Sequence, residues 1–165
     1  ADIRLAPVLA QVQLERGFKS IIVRSTDGLD ELSTSAPTQI WDVTSGVLRE
    51  SILDPSELGF QPATLDQLRG GDAQYNAQVV REILAGRTDG NFLAIRDVVA
   101  LNAAATMVAY DAAKESKRFG ETTDSTVARI ARALPVAYNS LDTGAAKSLL
   151  DVWVSISQRF ALAAN

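Results

Sequence analysis

The amino-acid sequence predicts an α/β domain in which a sheet is flanked by helices. Three observations support this fold class: a helical stretch leads into a short β-branched run, two further strand-like segments follow, and the second half of the chain carries apolar residues at helical spacing. With 165 residues, the chain has the length of one ordinary domain and can bury a substantial core.

The first two elements are predicted to be a helix and a strand. Residues 5–14 place four apolar side chains on one helical face, namely Leu5, Val8, Leu9 and Val12. Gly17 is the stop signal, and the run Ile21-Ile22-Val23 between Gly17 and Gly28 is typical of a buried strand over residues 20–24. A helix that enters a buried strand is half of a repeating α/β unit, and the strand before it is not in this sequence. We therefore expect the amino terminus to be a cut within a longer domain.

A β-hairpin is expected after this first complete strand. Residues 39–43 and 47–52 are strand-like, and they flank Thr44-Ser45-Gly46, a three-residue connection with glycine at its end. Asp54 and Pro55 then fit the N-cap and the first position of a short helical turn.

Two helices are predicted next. The first, over residues 73–85, begins with Asp72 as its N-cap and ends at Gly86. The second, over residues 92–115, is apolar almost all round, which predicts a buried central helix. Its conspicuous polar residue, Asn102, needs partners in the interior, either as a clamp on a neighbouring loop or as a wall of a cleft.

Two more helices are predicted to close the chain. The first carries apolar residues in helical register with Pro135 as a kink, and Thr143-Gly144 starts the second. The second is expected to bury its apolar face, which consists of Leu149, Leu150, Trp153, Val154, Ile156 and Phe160.

The composition excludes several kinds of chemistry. Cysteine and histidine are absent, so disulfides, thiolate metal sites and Ser-His or Cys-His nucleophiles are excluded, and any catalysis depends on carboxylates, metal ions or electrostatic positioning. The formal charge is −4 and no Lys/Arg cluster exceeds a pair, so no nucleic-acid partner is expected. The sequence shows no secretion signal and no apolar run of about 18 residues, which predicts a cytoplasmic protein with no membrane span.

The acidic stretch from Asp27 to Thr34 is the strongest candidate for a functional site. It follows the carboxyl end of the first predicted strand, where open α/β sheets bind ligands. Asp30 and Glu31, with the hydroxyls of residues 33–35 behind them, are hard oxygen ligands suited to Mg²⁺ beside a phosphorylated substrate. The same residue types also form solvated turns, so the pattern alone leaves both interpretations open.

The segment Gly28-Leu29-Asp30-Glu31-Leu32-Ser33, with Pro37-Thr38 behind it, resembles the Asp-Glu loop of anthranilate phosphoribosyltransferases. Three further segments agree with that family in order and approximate spacing: Leu68 to Ala73 with Asn76-Ala77, Leu84-Ala85-Gly86, and Asp97 with Leu101 to Ala105. The likeness runs from about residue 5 to about residue 160 and covers only the carboxyl-terminal half of the family. One departure is Arg24-Ser25, where the family often carries His-Gly.

The resemblance implies that residues 1–165 are the carboxyl-terminal part of a nucleoside phosphorylase/phosphoribosyltransferase catalytic domain. The amino-terminal helical domain and the glycine-rich diphosphate loop of the family are absent from the sequence. The implied reaction transfers the phosphoribosyl group from 5-phosphoribosyl 1-diphosphate to anthranilate in tryptophan biosynthesis. The missing half would carry the anthranilate pocket and the homodimer contacts, so the chain alone is expected to be inactive.

The same resemblance implies a Mg²⁺ cofactor and assigns its ligands. Asp30 and Glu31 would bind the metal, with Glu31 reaching two ions and Asp30 one, and neither would act as an acid or base. Two alternatives stay open at this point: a related pyrimidine nucleoside phosphorylase, and a non-catalytic domain of the same fold.

Overall fold

The fold is built on a three-stranded antiparallel sheet with helices around it, over residues 2–163, which the computed structural model describes. The helices are α1 (Leu5–Glu15), α2 (Ala73–Leu84), α3 (Phe92–Ala113), α4 (Thr126–Asp142) and α5 (Ala145–Ala163), and the strands are β1 (Ile21–Ser25), β2 (Thr38–Asp42) and β3 (Arg49–Leu53). A short 3-10 helix, Pro55–Leu58, follows β3, and Asp54 caps it as predicted. The predicted α/β fold class is confirmed.

The sheet is a meander in which β1 pairs with β2 and β2 pairs with β3. The predicted hairpin is confirmed, but its connection spans residues 43–48 instead of 44–46. Asp42 explains the difference, because its carboxylate accepts hydrogen bonds from the Thr44 N–H at 2.7 Å and the Thr44 hydroxyl at 2.6 Å. These bonds turn the chain out of the ladder directly after β2.

The first strand is less buried than the sequence predicts. It spans Ile21–Ser25 instead of residues 20–24, and its first four residues are only half-buried. Within the described sheet, β1 has a neighbouring strand on one side only. Its other edge is open, which accounts for the partial exposure.

The predicted apolar face of α1 is not buried. All four of its residues are exposed: Leu5, Val8, Leu9 and Val12. The helix instead contacts the sheet through Ala10, which is fully buried beside Trp41 and Val43. Ala6 and Leu14 pack against the same cluster, and the small alanine side chains let the helix backbone approach the sheet closely.

The main core lies where α3 meets α4 and the sheet. Leu101, Ala104 and Val108 on α3 are fully buried, and Ile130 of α4 belongs to the same cluster. α3 is therefore the central helix, as predicted. It is not buried on all sides, however, and Tyr110 lies on an exposed face.

Among residues 2–163, α3 is also the one helix whose length and composition would allow it to cross a membrane. Core helices of soluble proteins meet the same criterion. Here the helix packs against α4, and its buried residues include the ionisable Asp111. Its observed role in the described structure is that of a core helix.

The final helix differs from the prediction. We expected the apolar face of α5 to be buried, but Trp153 is 70% exposed and Phe160 is 74% exposed. α5 packs against α4 and α2, and Ala146 near its start contacts the core. Most of the rest of its apolar face is exposed over the described residues, with Leu149, Val154 and Ile156 exposed as well. In α4, Pro135 lies inside the helix as predicted.

A buried ion pair joins the sheet to α4. Arg129 Nη1 lies 3.2 Å from Asp42 Oδ2, and both side chains are 3% exposed. The Thr126 hydroxyl donates to the same carboxylate oxygen, and Arg129 also donates to the Thr44 hydroxyl at 2.9 Å. Both oxygens of the Asp42 carboxylate are thus hydrogen-bonded, and the pair connects the end of β2 to the first turns of α4.

Candidate functional site

The acidic stretch lies in the loop that connects β1 to β2. The Thr26 N–H donates to the Pro37 carbonyl at 2.9 Å, which closes the two ends of the loop. The Ser25 N–H donates to the Leu29 carbonyl at 2.9 Å and folds the first part of the loop back on β1. Asp30 and Glu31 follow this turn, just past the carboxyl end of the strand.

Asp27 holds the loop from one side. Its carboxylate accepts hydrogen bonds from the Ser33 hydroxyl at 2.6 Å and the Leu29 N–H at 3.1 Å. Partial burial alone would raise the pKa of Asp27, but these hydrogen bonds, with smaller contributions from Ser25 and the Arg24 charge, outweigh it and hold the pKa below its ordinary value. The ionised carboxylate therefore bridges the residues on either side of Asp30 and Glu31.

Arg24 supports the same turn. Its Nη1 donates to the Leu29 carbonyl at 2.8 Å and to the Ser25 carbonyl at 3.0 Å. This is the position at which the sequence departs from the His-Gly of the family it resembles. Here the guanidinium takes part in fixing the backbone of the loop.

Asn102 of α3 holds the loop from the other side. Its Oδ1 accepts from the Leu32 N–H at 3.0 Å, and its Nδ2 donates to the Leu32 carbonyl at 2.8 Å. The predicted clamp is confirmed, and Asn102 also lines a cavity next to the loop. The Leu32 side chain is fully buried in the main core, which anchors the residue directly after Glu31.

The hydroxyls that follow the carboxylates lie in the interior of the loop. The Ser33 hydroxyl donates to Asp27 and accepts from the Ser35 N–H at 2.9 Å. The hydroxyl oxygens of Thr34 and Ser35 are shielded from solvent. We expected these groups to contribute oxygen ligands, and in this structure they belong to the loop's interior.

The two carboxylates are exposed and flank the loop on different sides. Glu31 lines an open cavity of about 530 Å³ between the loop, residues 65–69 and α3. Asp30 lines a second cavity, of about 590 Å³, beside α1 and β1. Within residues 2–163, neither side chain makes a hydrogen bond or an ion pair, and no group of three or more Asp or Glu residues is arranged to hold a metal ion.

The cavity beside Glu31 is mainly apolar. Leu65, Leu68, Val98 and Val99 contribute to its walls, and Arg69 adds a positive charge at its edge. The Arg69 guanidinium pairs with Asp66 at 2.8 Å on an exposed surface. In the sequence, Arg69 stands out only as part of the segment from Leu68 to Ala73 that agrees with the family. Nothing in its local pattern shows that it lies near the acidic loop.

The glycine pair at residues 70–71 is part of a helix start. Asp72 caps α2 by accepting from the Tyr75 N–H at 2.8 Å, as predicted. The Asn76 side chain both donates to and accepts from the Gly71 backbone at 2.9 Å. These bonds commit Asn76 to the turn before α2.

Comparisons with known proteins place this geometry in context. Residues 1–147 match the family described as "Glycosyl transferase family, a/b domain". The anthranilate phosphoribosyltransferase of Arthrobacter sp. (strain FB24) is 42% identical over 158 residues, which cover 96% of this chain and 42% of that protein. The chain thus spans about two fifths of the length of such relatives.

Solved structures agree with this assignment. The crystal structure of anthranilate phosphoribosyltransferase from Thermus thermophilus has a TM-score of 0.60 and 27% identity, and the match covers 88% of this chain and 40% of that one. The enzyme from Saccharomyces cerevisiae in complex with PRPP and Mg has a TM-score of 0.57 and 24% identity, covering 86% and 39%, and shows likeness of fold alone. On the match over residues 1–147, this chain belongs to the glycosyl transferase family of a/b domains.

Proposed function

We propose that this chain is the carboxyl-terminal part of the catalytic domain of an anthranilate phosphoribosyltransferase. In that reaction the amine of anthranilate forms a bond to carbon 1 of 5-phosphoribosyl 1-diphosphate, and the bond from carbon 1 to diphosphate breaks. The 42% identity to a protein of that name supports the proposal, as do the four sequence segments in register. The remaining parts of the active site, including a helical domain and a glycine-rich loop, would lie outside this sequence.

One observation carries the assignment of the acidic loop. The residues before and after Asp30 and Glu31 are bonded to Asp27 and Asn102, while the two carboxylates themselves have no partner within residues 2–163. Both carboxylates are exposed, and the backbone that carries them is fixed on either side. A loop held in this way is suited to receive a cation.

The donor set fits Mg²⁺ as a partial coordination shell. Carboxylate oxygens are the protein ligands that Mg²⁺ prefers, and the ion usually keeps several waters and takes further oxygens from substrate phosphates. By resemblance to the family, Asp30 and Glu31 would hold it, with Glu31 reaching two ions and Asp30 one. In this structure the two side chains line different cavities beside the loop. When bound, the ion neutralises negative charge on the leaving diphosphate.

The residues of this chain contribute mainly by positioning. The cavity beside Glu31 offers mainly apolar walls against which a bound substrate would pack. Arg69 places one positive charge at the edge of the same cavity. As the family resemblance implies, Asp30 and Glu31 would serve as ligands and not as proton carriers.

The setting of the intact enzyme forms part of the same proposal. We place it in the cytoplasm, as a homodimer whose contacts are made by the helical domain outside this sequence. Sedimentation of the intact protein at micromolar concentration tests the second point, and a monomer would contradict it.

The direct test of the metal assignment is Glu31→Ala in the intact enzyme, with Asp72→Ala and Asn76→Ala as controls. Loss of a ligand at a developing charge is expected to lower turnover about a hundredfold or more. The controls, which lie at a helix start, are expected to change turnover far less. Steady-state kinetics over a Mg²⁺ titration provides the measurement, and an unaltered metal dependence in Glu31→Ala would refute the assignment.

A further inference from the structure

We infer that Asn102 is the positioning residue of the acidic loop, because it fixes the backbone at Leu32 and through it the direction of the Glu31 carboxylate. This inference rests on the proposed role of Glu31 as a metal ligand. It concerns a residue of α3 that would not itself touch the metal or the substrate.

The Asn102 side chain forms hydrogen bonds with both peptide groups that flank the Leu32 Cα atom. Oδ1 accepts from the Leu32 N–H at 3.0 Å, and Nδ2 donates to the Leu32 carbonyl at 2.8 Å. Nδ2 also donates to the Val98 carbonyl at 2.9 Å, one turn earlier on α3. Both amide hydrogens are thus used, and the orientation of the side chain is fixed by its own helix.

The Leu32 backbone depends on this amide. Leu32 is fully buried, and an unpaired backbone group at such a position is destabilising. No other hydrogen bond to its N–H or carbonyl is found among residues 2–163. Asn102 is 70 residues away in the sequence, so the loop takes this conformation only when α3 is in place.

The geometry couples this contact to Glu31. The Leu32 N–H belongs to the planar peptide unit that begins at the Glu31 carbonyl. Fixing that N–H therefore removes one of the two backbone rotations of Glu31. Asn102 and Glu31 also line the same cavity, so a rotation of this peptide would move the carboxylate relative to the space that Asn102 faces.

The test compares Asn102→Asp with Asn91→Asp in the intact enzyme. Asn102→Asp keeps the size of the side chain but replaces the amide nitrogen, which carries both donors, with a carboxylate oxygen. That oxygen would face the Leu32 and Val98 carbonyls. Asn91 precedes α3, is exposed and makes no capping hydrogen bond through its side chain, so its variant is a matched control. Calorimetry measures Mg²⁺ binding to the enzyme that holds 5-phosphoribosyl 1-diphosphate, without anthranilate.

We expect N102D to weaken Mg²⁺ binding about tenfold or more, the range found for residues that orient metal ligands. N91D is expected to leave it unchanged. Repulsion between the new carboxylate and the Leu32 and Val98 carbonyls should displace the side chain from Leu32. The exchange of the Leu32 amide hydrogen should therefore become faster in N102D and stay slow in N91D. If N102D is too unstable to purify, Asn102→Ser removes the two amide donors without adding charge, and the same weakening is expected.

The pH dependence separates positioning from a general loss of structure. At lower pH the introduced carboxyl becomes protonated and regains one donor for the Leu32 carbonyl, so the Mg²⁺ affinity of N102D should approach that of the wild type at the same pH. If the ratio of the Mg²⁺ affinity of N102D to that of the wild type does not change with pH, the inference is contradicted.

A double-variant cycle with Glu31→Ala identifies the route of the effect. If Asn102 acts through Glu31, the loss of Mg²⁺ affinity in the double variant equals that in Glu31→Ala alone. Additive losses would overturn the inference while leaving the metal site intact. Unchanged Mg²⁺ affinity in Glu31→Ala itself would instead overturn the proposed function, and the two failures are therefore distinct.

Discussion

Asp27 shows how a single residue shapes the candidate site without belonging to its ligand set. Its carboxylate joins Ser33 to Leu29 and thus links the residues before and after the two proposed ligands. The pKa of Asp27 lies below its ordinary value because hydrogen bonds to the ionised form outweigh the effect of partial burial. The loop is therefore held best when Asp27 is ionised.

This pKa shift has a defined consequence for stability. A depressed folded-state pKa contributes stability at pH values above the unfolded value, near 4 for Asp, and the contribution is lost as pH falls through the lower folded value. Asp27→Asn should therefore lower the free energy of unfolding at neutral pH, and the difference from the wild type should shrink below about pH 4. Denaturant unfolding over this pH range measures the effect.

Asp30→Asn is the matched control for Asp27→Asn. Its side chain is exposed and makes no hydrogen bond within residues 2–163, so the free energy of unfolding should not decrease. A difference between Asp27→Asn and the wild type that stays constant from neutral pH to below pH 4 would contradict the assigned role of Asp27.

At this scale the sequence identified the carboxylates but not what holds them. A short acidic motif after a strand-like run is a local pattern that singles out Asp30 and Glu31, and the family resemblance then assigns them as ligands. Ser33 resembled a further ligand, since nothing local shows that its hydroxyl is committed to Asp27. Asn102 was considered as a clamp or as a cleft wall because a polar residue in an apolar helix needs partners. Its partner, the Leu32 backbone, is seen only in the folded structure.

At the scale of elements, the buried pair of Asp42 and Arg129 fixes α4 against the sheet. Removal of one partner from such a pair leaves an uncompensated charge and costs about 3–5 kcal/mol. We therefore expect Arg129→Met to lower the free energy of unfolding by roughly 3 kcal/mol, the lower end of that range, because Thr44 and Thr126 still donate to Asp42. Urea unfolding of the intact protein provides the measurement.

An exposed ion pair serves as the control for this experiment. Lys147 and Asp151 lie one helical turn apart on α5 at 3.0 Å, and both side chains are more than half exposed. Surface pairs of this kind contribute about 0.3–0.5 kcal/mol, so Lys147→Met should have little effect. Equal losses from the two variants would show that burial of the Arg129 pair adds nothing.

The elements themselves were predictable to different degrees. Helix starts depend on a few neighbouring residues, and the capping roles of Asp54 and Asp72 are confirmed. The side of each helix that is covered depends on distant parts of the molecule. For this reason the apolar faces of α1 and α5 were expected to pack inside, whereas both are largely exposed over residues 2–163.

At the scale of the whole molecule, the exposed apolar faces and the open edge of β1 share one explanation. Soluble monomers rarely expose apolar patches of more than a few hundred Å². The relatives of this chain are more than twice its length, since it covers 42% of one of them. We propose that the remainder of the protein packs against α1, α5 and β1 and completes the cleft beside the acidic loop.

The chain alone is therefore expected to bind 5-phosphoribosyl 1-diphosphate only negligibly, even with Mg²⁺ present. Asp30 and Glu31 are negatively charged and can recruit the substrate only through a cation, and no phosphate-binding loop is recognised in the sequence. Calorimetry measures binding, with circular dichroism to establish that the chain is folded. Adding the amino-terminal part, on the same chain or as a second one, should restore binding and anthranilate-dependent release of diphosphate.

Two results would count against this proposal. Micromolar binding by the chain alone would mean that a phosphate site lies within it, for example at Gly70-Gly71. A well-folded complex of the two parts that releases no diphosphate would favour the non-catalytic alternative.

Trp153→Asp, on the exposed face of α5, should weaken association of the two parts and leave the fold of the chain itself unchanged.

The clamp between Asn102 and Leu32 also determines whether the acidic loop could be transplanted. The sequence from Ser25 to Thr38 contains both proposed ligands and the Asp27 bridge, but not the amide that satisfies the Leu32 backbone. A scaffold that received these residues alone would inherit the carboxylates without their orientation. The smallest set of residues that could be transferred with the geometry intact is therefore the loop together with a helix that presents an asparagine to it. These residues are in contact in space but are not contiguous in the sequence.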